Sequence, residues 1–180
     1  MKIVGSWDAG YVLDWHVLSS VLDGENSDGK PKFNTIRTDV GEAVYQLKYR
    51  SDFTKAHLLA LSIATQIVPL FSGISYIIPM PPSKIRSRQP VPEIAREIGR
   101  LIKKDCLENL LIKNGTTLQM KDIPTIEEKN AALLGCFALN DSIVPNGKYN
   151  LLIIDDLYSS GASLNAATTT LRKSSKIQNI

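Results

Sequence analysis

The strongest constraint on the fold lies late in the sequence, where an apolar run ends in two aspartates. Leu151-Leu-Ile-Ile154 is followed at once by Asp155 and Asp156, then by a loop of small residues and a predicted helix over 161–173. A strand without polar alternation is covered on both faces, which is typical of the parallel sheets of α/β proteins. Ligands bind beyond the carboxyl ends of such strands. The sequence therefore predicts an α/β protein with a ligand site that begins at Asp155.

Helical and strand patterns alternate through most of the chain. Apolar residues at helical spacing predict three further helices, over 39–50, 53–68 and 91–104. Short apolar runs predict strands at 74–78, 110–112, 136–139 and 149–154. Strands separated by helices indicate a mostly parallel sheet with helices on both faces.

The first 37 residues have a different pattern. Tyr11–Leu18 and Phe33–Arg37 are predicted strands, and the polar stretch 22–31 between them is rich in turn-forming residues. We therefore expect a small N-terminal β appendage over 1–37 and a second domain over 38–180. The last residues, 176–180, leave two alternatives for the sheet edge: a very short strand or a missing one.

Composition narrows the class of protein. Of 180 residues, 43% are apolar, and the net charge of +3 excludes neither a nucleic acid nor an anionic small molecule as partner. Cys106 and Cys136 form no CxxC motif, so we expect buried thiols rather than a disulfide or a zinc site. The apolar stretch 58–71 is too short to span a bilayer. These features predict a cytoplasmic protein with no membrane partner. They do not decide between a monomer and a homodimer.

The residues after the apolar run combine two chemistries. Gly161 allows close approach of a ligand, and the free amides at a helix start suit a phosphate. Ser159, Ser160 and Ser163 add hydroxyl donors. Two carboxylates beside a phosphate would repel it unless they bind another part of the ligand. A sugar phosphate, with its hydroxyls toward the aspartates, satisfies both halves.

These residues resemble a known motif. The thirteen residues Leu151–Ser163 are similar to the phosphoribosyl pyrophosphate (PRPP) motif of type I phosphoribosyltransferases. Three weaker similarities, in Leu47–Arg50, Ile78–Arg88 and Gly135–Leu139, narrow the resemblance to the ComF-like, competence-associated family. The cysteine-rich zinc ribbon common at the start of that family has no counterpart in residues 1–37.

The resemblance implies a type I phosphoribosyltransferase-like fold and a role for each site residue. Asp155 and Asp156 would be the catalytic pair that holds the ribose hydroxyls of PRPP. The 5-phosphate loop would comprise Tyr158, Ser159, Ser160, Gly161, Ala162 and Ser163. The pyrophosphate turn would comprise Met80, Pro81, Pro82, Ser83, Lys84 and Arg86. Magnesium would be held by the ligand and by water near the aspartates rather than directly.

The implied activity is that of a glycosyltransferase of nucleotide metabolism. It would transfer a phosphoribosyl group from PRPP to an unidentified nitrogen acceptor and release pyrophosphate. The alternative is a non-catalytic module that binds PRPP or another ribose 5-phosphate compound, or one associated with DNA uptake. In the DNA case the contact surface would be residues 84–104, where basic residues predominate.

Other candidates have simpler interpretations. Residues 83–104 contain seven basic and two acidic side chains, a pattern that a solvated helix face also explains. His16 and His57 are isolated, so packing or surface roles are favoured over catalysis. The polar stretch 113–130, with Lys121 and Lys129, fits a lid or a disordered loop equally well.

Overall fold

The computed structural model describes residues 1–114 and 135–180 and shows a mixed α/β fold. The helices in this described part are α1 (Asp39–Tyr49), α2 (Thr54–Gln66), α3 (Pro90–Ile102) and α4 (Ala162–Leu171). The strands are β1 (Lys2–Ile3), β2 (Gly10–Tyr11), β3 (Val17–Glu25), β4 (Pro31–Arg37), β5 (Tyr76–Pro79), β6 (Asp105–Cys106), β7 (Leu111–Lys113), β8 (Phe137–Leu139), β9 (Tyr149–Ile154) and β10 (Ile177–Asn179). Lys121 and Lys129, in the predicted lid or loop, lie outside the described residues.

The main sheet has four parallel strands in the order β10-β9-β5-β6. Its centre is the pairing of β5 with β9, which runs from Tyr76 opposite Leu151 to Pro79 opposite Ile154. The predicted α/β class and the parallel pairing of the strands at 74–78 and 149–154 are confirmed. The strands predicted at 110–112 and 136–139 do not join this sheet: as β7 and β8 they form a separate antiparallel pair. The short edge strand, one of the two alternatives expected for the last residues, is present as β10.

The strand order places a crevice between β5 and β9. The chain leaves β5 through α3 toward β6 on one side, and leaves β9 through α4 toward β10 on the other. Since such crossovers are almost always right-handed, α3 and α4 fall on opposite faces of the sheet. The carboxyl ends of β5 and β9 therefore meet where the strand order reverses, which is where open α/β sheets bind ligands.

Burial explains why the central strands take these positions. Ile77 and Ile78 of β5 are consecutive and fully buried, so both faces of that strand are covered. Helix α3 supplies part of this cover through Ile94, Ala95 and Ile98. None of the helices in the described residues is long and apolar enough to cross a membrane.

The first 37 residues form two antiparallel pairs, β1 with β2 and β3 with β4. The strand predicted over Tyr11–Leu18 is wrong, because β2 ends at Tyr11 and β3 begins only at Val17. Between them the chain docks on α1, where Thr38 Oγ1 donates a hydrogen bond of 2.5 Å to the carbonyl oxygen of Trp15. The predicted turn at 22–31 also starts too early, since Leu22 still pairs with Phe33.

Candidate functional site

The two aspartates lie at the end of β9 and differ in their surroundings. Asp156 is held by Lys48 of α1, whose Nζ lies 2.9 Å from Oδ2 and 3.1 Å from Oδ1. The Asp156 side chain is only 12% exposed, so this cation neutralises a largely buried carboxylate. The backbone N–H of Asp156 donates a 2.8 Å hydrogen bond to Asp155 Oδ1 and so orients the first carboxylate.

Asp155 is a carboxyl with a raised pKa. Burial of its carboxyl by the surrounding protein, and secondarily the charge of Asp156, raise the pKa of Asp155 to about 6. The hydrogen bond from the Asp156 N–H and the charge of Lys48 lower this pKa by smaller amounts. The residue is nevertheless exposed to solvent. A raised pKa and contact with solvent occur together in a carboxyl on the floor of an open cleft. The contact with solvent limits how far burial raises the pKa. Asp155 is thus poised to change charge just below neutral pH.

The predicted pyrophosphate turn faces these aspartates. The backbone N–H of Met80 donates a 2.8 Å hydrogen bond to the carbonyl oxygen of Ile154, which joins the ends of β5 and β9 directly. Beyond this bond the chain turns through Pro81–Ser83 toward α3. The turn and the aspartates therefore lie on opposite sides of one opening.

We call this opening the basic cavity. It measures about 230 Å³ and contains three cationic side chains, from Lys48, Arg86 and Lys113. Its other lining residues include the four turn residues Met80–Ser83, both aspartates and Ser163 at the start of α4. Lys84 is not among its lining residues. The sequence did not indicate Lys48 or Lys113, because each reaches the site from an element that is distant in the chain.

The loop between β9 and α4 is shaped by a glycine. Gly161 has φ of +74°, so it takes the left-handed conformation that side chains disfavour. A Cβ at this position would lie 3.1 Å from Tyr158 Cε2 and 3.3 Å from the Trp7 ring. Ser160 Oγ accepts a hydrogen bond of 3.4 Å from the N–H of Ala162, the first residue of α4. The loop is a tight turn that ends at a helix N-terminus.

A second, larger opening lies on the other side of the strand end. This apolar cavity measures about 510 Å³ and is enclosed by residues 1–16, α1, α2 and β9. Asp155, Asp156 and Leu157 line both cavities and form the wall between them. Tyr158 and Ser159 of the predicted phosphate loop line the apolar cavity rather than the basic one.

His16 belongs to this site, although the sequence favoured a packing or surface role. It lines the apolar cavity together with the two aspartates. Burial lowers the pKa of His16, the nearby cations Arg37 and Lys48 lower it further, and Asp156 opposes them. The imidazole is therefore neutral near pH 7. No sequence signal separated it from His57, because the charged groups that shift its pKa, Arg37, Lys48 and Asp156, are distant from it along the chain.

The basic residues of 84–104 are partly neutralised by local partners. Arg88 and Arg96 both contact Glu93, at 2.9 and 2.7 Å, and Arg100 contacts Glu97 at 2.9 Å. These pairs support a solvated helix face rather than a surface kept for a polyanion. Arg86 differs in that it lines the basic cavity.

Within 1–114 and 135–180, no group of three His, Cys, Asp or Glu side chains is placed to hold a metal ion. The two cysteines are free thiols, and burial raises the pKa of both, that of Cys106 to about 11.

Comparison with known proteins leaves function to be inferred from this geometry. No family model, curated protein or solved structure matches the chain. The residues around the two cavities therefore carry the functional argument by themselves.

Proposed function

We propose that this chain binds PRPP and transfers its phosphoribosyl group to a nitrogen acceptor with release of pyrophosphate. The proposal includes a type I phosphoribosyltransferase-like fold for residues 38–180, with 1–37 as an appendage, and ComF-like relatives. One observation carries it: adjacent parallel strands bring the Met80–Ser83 turn and the Asp155–Asp156 pair into a single cavity with three cations.

Each part of the ligand has a complementary group. Asp155, with an exposed carboxylate, would accept hydrogen bonds from ribose hydroxyls. Arg86, Lys48 and Lys113 supply positive charge for the pyrophosphate, and the 80–84 turn supplies backbone amides. The 5-phosphate would lie against Ser163 at the N-terminus of α4, where unpaired amides and the helix dipole favour an anion, whereas Tyr158 and Ser159 of the predicted loop line the apolar cavity.

The reaction follows from these positions. The acceptor nitrogen forms a bond to C1 of the ribose, the bond from C1 to the pyrophosphate oxygen breaks, and the acceptor proton is lost to solvent. Positive charge develops on the ribose ring as the leaving group departs. The carboxylates on the ribose side and the cations on the pyrophosphate side stabilise that separation of charge. Lys48 acts as a positioning residue because it fixes Asp156.

Magnesium fits this site as a companion of the substrate. Asp155 is a hard oxygen donor open to solvent, whereas Asp156 is occupied by Lys48. Asp155 would thus hold the hydrated ion through water, as Mg²⁺ prefers. The ion would supply neutralisation of the pyrophosphate charge. Two free thiols are consistent with a reducing cytoplasm as the setting.

Calorimetric titration with PRPP and magnesium tests the proposal. We expect binding by the wild type and a loss of about 10-fold or more for Asp155→Asn, because hydrogen bonds to a charged acceptor are lost. Asp28→Asn, in the exposed turn between β3 and β4, is the matched control and should bind like the wild type. Equal affinity of Asp155→Asn and wild type would remove the hydroxyl-binding role.

Turnover is tested separately, by pyrophosphate release in a screen of nucleobases and ammonia sources. Release with one acceptor supports a transferase. PRPP binding without release from any acceptor would instead indicate the non-catalytic module. Binding of single-stranded DNA with a steep salt dependence would indicate the nucleic-acid alternative.

A further inference from the structure

The hairpin of β3 and β4, which we call the arm (residues 17–37), exposes apolar side chains on both of its faces. Leu22 lies opposite Phe33 on one face, and Val21 lies on the other. Five large apolar residues of the arm are between 56% and 67% exposed: Leu18, Val21, Leu22, Phe33 and Ile36. Single exposed apolar side chains are normal, but a cluster of this kind marks an interaction surface.

The arm is a two-stranded sheet by itself. Within the part of the chain that the structure describes, β3 and β4 pair only with each other. A two-stranded hairpin is marginally stable in water, whereas three or more strands with an apolar face are stable. The base of the arm is fixed, because the Arg37 guanidinium carbon lies 3.9 Å from the centre of the Tyr45 ring. The body of the protein therefore presents the arm in one orientation, and a further strand would stabilise it.

The two strands of the arm differ in how their outer edges are protected. Natural edge strands avoid further pairing by means of lysine, proline or bulges. Strand β4 has Pro31 at its first position and Lys32 next to it. Strand β3 begins instead with six uncharged residues, Val17–Leu22, none of which is proline. Its register with β4 is regular over Ser19–Leu22 and shifts only outside that stretch, so this part of the β3 edge is open to another strand.

The charges of the arm favour a second copy of this chain as the partner. The acidic and basic side chains of the arm are equal in number, so its net charge is zero: Asp23, Glu25, Asp28, Lys30, Lys32 and Arg37. A neutral segment gives a polyanion or an anionic membrane no net attraction, and Glu25 and Asp28 at its tip would repel anionic lipid. Two identical neutral arms do not repel each other.

We propose that β3 is a dimerisation strand, which pairs antiparallel with β3 of a second copy about a two-fold axis at Ser20. A two-fold axis between identical antiparallel strands requires one residue to face its own copy. Ser20 lies in the regular stretch, and this choice brings Leu18 of each copy beside Leu22 of the other. The two arms then form one four-stranded sheet in the order β4-β3-β3-β4. The inference goes beyond the proposed function, because no residue of the arm lines either cavity.

The size of the apolar cluster predicts a weak dimer. The five side chains expose at most about 600 Å² per copy, or about 1,200 Å² for two copies, which is the lower end of the range for specific interfaces. The dissociation constant should therefore be of micromolar order.

Sedimentation equilibrium of the full chain over a concentration series measures this dissociation constant. The main variants are Ser20→Lys and Ser20→Glu, each of which places two like charges opposite each other at the axis. We expect each variant alone to weaken the dimer about 10-fold or more. An equimolar mixture of the two should restore the dimer, because lysine then faces glutamate. Recovery in the mixture also shows that both variants fold, since an unfolded arm could not pair.

Two further variants separate the edge of β3 from the rest of the arm. Both Ser20 variants lose the 3.0 Å hydrogen bond between the Ser20 and Thr35 hydroxyls, so Leu22→Ser, which keeps it, is a second test. Leu22→Ser should weaken the dimer about 2- to 10-fold. Asn34→Lys is the matched control, because Asn34 is exposed and lies opposite Val21 on β4, an outer strand of the proposed sheet. It should dimerise like the wild type.

Weakening by each Ser20 variant with recovery in the mixture supports the proposal. A wild type that stays monomeric throughout the series overturns it, and so does a dimer that none of Ser20→Lys, Ser20→Glu and Leu22→Ser weakens. No recovery in the mixture overturns the placement of the axis at Ser20, and an equal loss in Asn34→Lys contradicts pairing through β3. A monomer that floats with vesicles of phosphatidylcholine and phosphatidylserine would assign the arm to a membrane instead. PRPP binding enters none of these measurements, so their failure leaves the proposed function unaffected.

Discussion

On one side of the wall formed by Asp155–Leu157, the basic cavity is lined by three cations and by the ends of β5 and α4. On the other side, the apolar cavity is lined by aromatic and aliphatic side chains from residues 1–16, α1 and α2. The first suits groups recognised by charge, and the second suits groups recognised by shape and burial. Because the two are separate, substitutions should affect one kind of binding at a time.

The largest effect is expected from Gly161→Val. The substitution strains a left-handed residue by about 1–3 kcal/mol and pushes the valine side chain against Tyr158, so the phosphate loop should lose its shape. Ribose 5-phosphate binding should be abolished. Gly73→Val is the matched control, because Gly73 has a similar φ of +67° and lies before the amino end of β5. It should lose comparable stability in chemical denaturation and keep ribose 5-phosphate binding.

Lys48→Met should be next in magnitude. It leaves Asp156 without its cation and removes one charge from the basic cavity. We expect a loss of about 1–3 kcal/mol in the free energy of unfolding and about 10-fold weaker PRPP binding. Lys55→Met is the control: its pair with Asp52 is longer, at 3.7 Å, and more exposed, so less than 1 kcal/mol should be lost. Equal losses for the two variants would argue against a special role for Lys48.

The pH dependence of stability should expose Asp155. Its folded-state pKa of about 6 lies above the ordinary value of 3.8, so the folded protein holds this proton more tightly than the unfolded chain does. The contribution of Asp155 is therefore favourable at low pH and is lost as pH rises from about 4 through 6. Asp155→Asn should be more stable than the wild type at pH 7, with the difference vanishing below pH 4. Denaturation curves across this range that run parallel for the two proteins would rule out the raised pKa.

The smallest effect should come from His16, with the opposite sign. Its folded-state pKa lies below the ordinary value of 6.5, so its contribution is full above that pH and is lost as pH falls. His16→Gln should flatten this acid-side loss, as measured by denaturation between pH 5 and 7. His57→Gln is the control, as His57 lies on the outside of α2 against Glu97.

Local patterns predicted the parallel sheet and part of the basic cavity. Ile77, Ile78 and Leu151–Ile154 are apolar without alternation, and that local pattern indicates coverage on both faces before any tertiary contact is known. The turn that begins at Met80 lies beside Asp155 because β5 and β9 are adjacent parallel strands, whose carboxyl ends lie at the same edge of the sheet. In contrast, Lys48 and His16 join the site through docking of α1 and the N-terminal segment, which leaves no periodic or compositional trace.

The strand predicted over Tyr11–Leu18 was wrong because apolar composition does not specify tertiary packing. Val17, Leu18, Val21 and Leu22 look like residues of a buried strand, and yet β3 is exposed along its whole length. Its hydrogen-bond partner is β4, and the apolar side chains of this hairpin have no cover in the described part of the chain. Apolar composition indicates a strand but does not specify where that strand packs.

The contacts between the first residues and α4 restrict the order in which the molecule can assemble. Ser6 Oγ binds Asn165 Oδ1 at 2.9 Å, Asp8 binds Arg172 at 2.9 Å, and the Asp8 carboxylate accepts the N–H of Ile180 at 2.8 Å. Contacts this distant in sequence cannot form until the intervening chain has collapsed, and such long-range closure slows folding. During synthesis, residues 1–12 can pair with one another through β1 and β2, but Ser6 and Asp8 have no partners until α4 and Ile180 have emerged. The side of the apolar cavity that residues 1–12 form is therefore among the last parts of the protein to be completed.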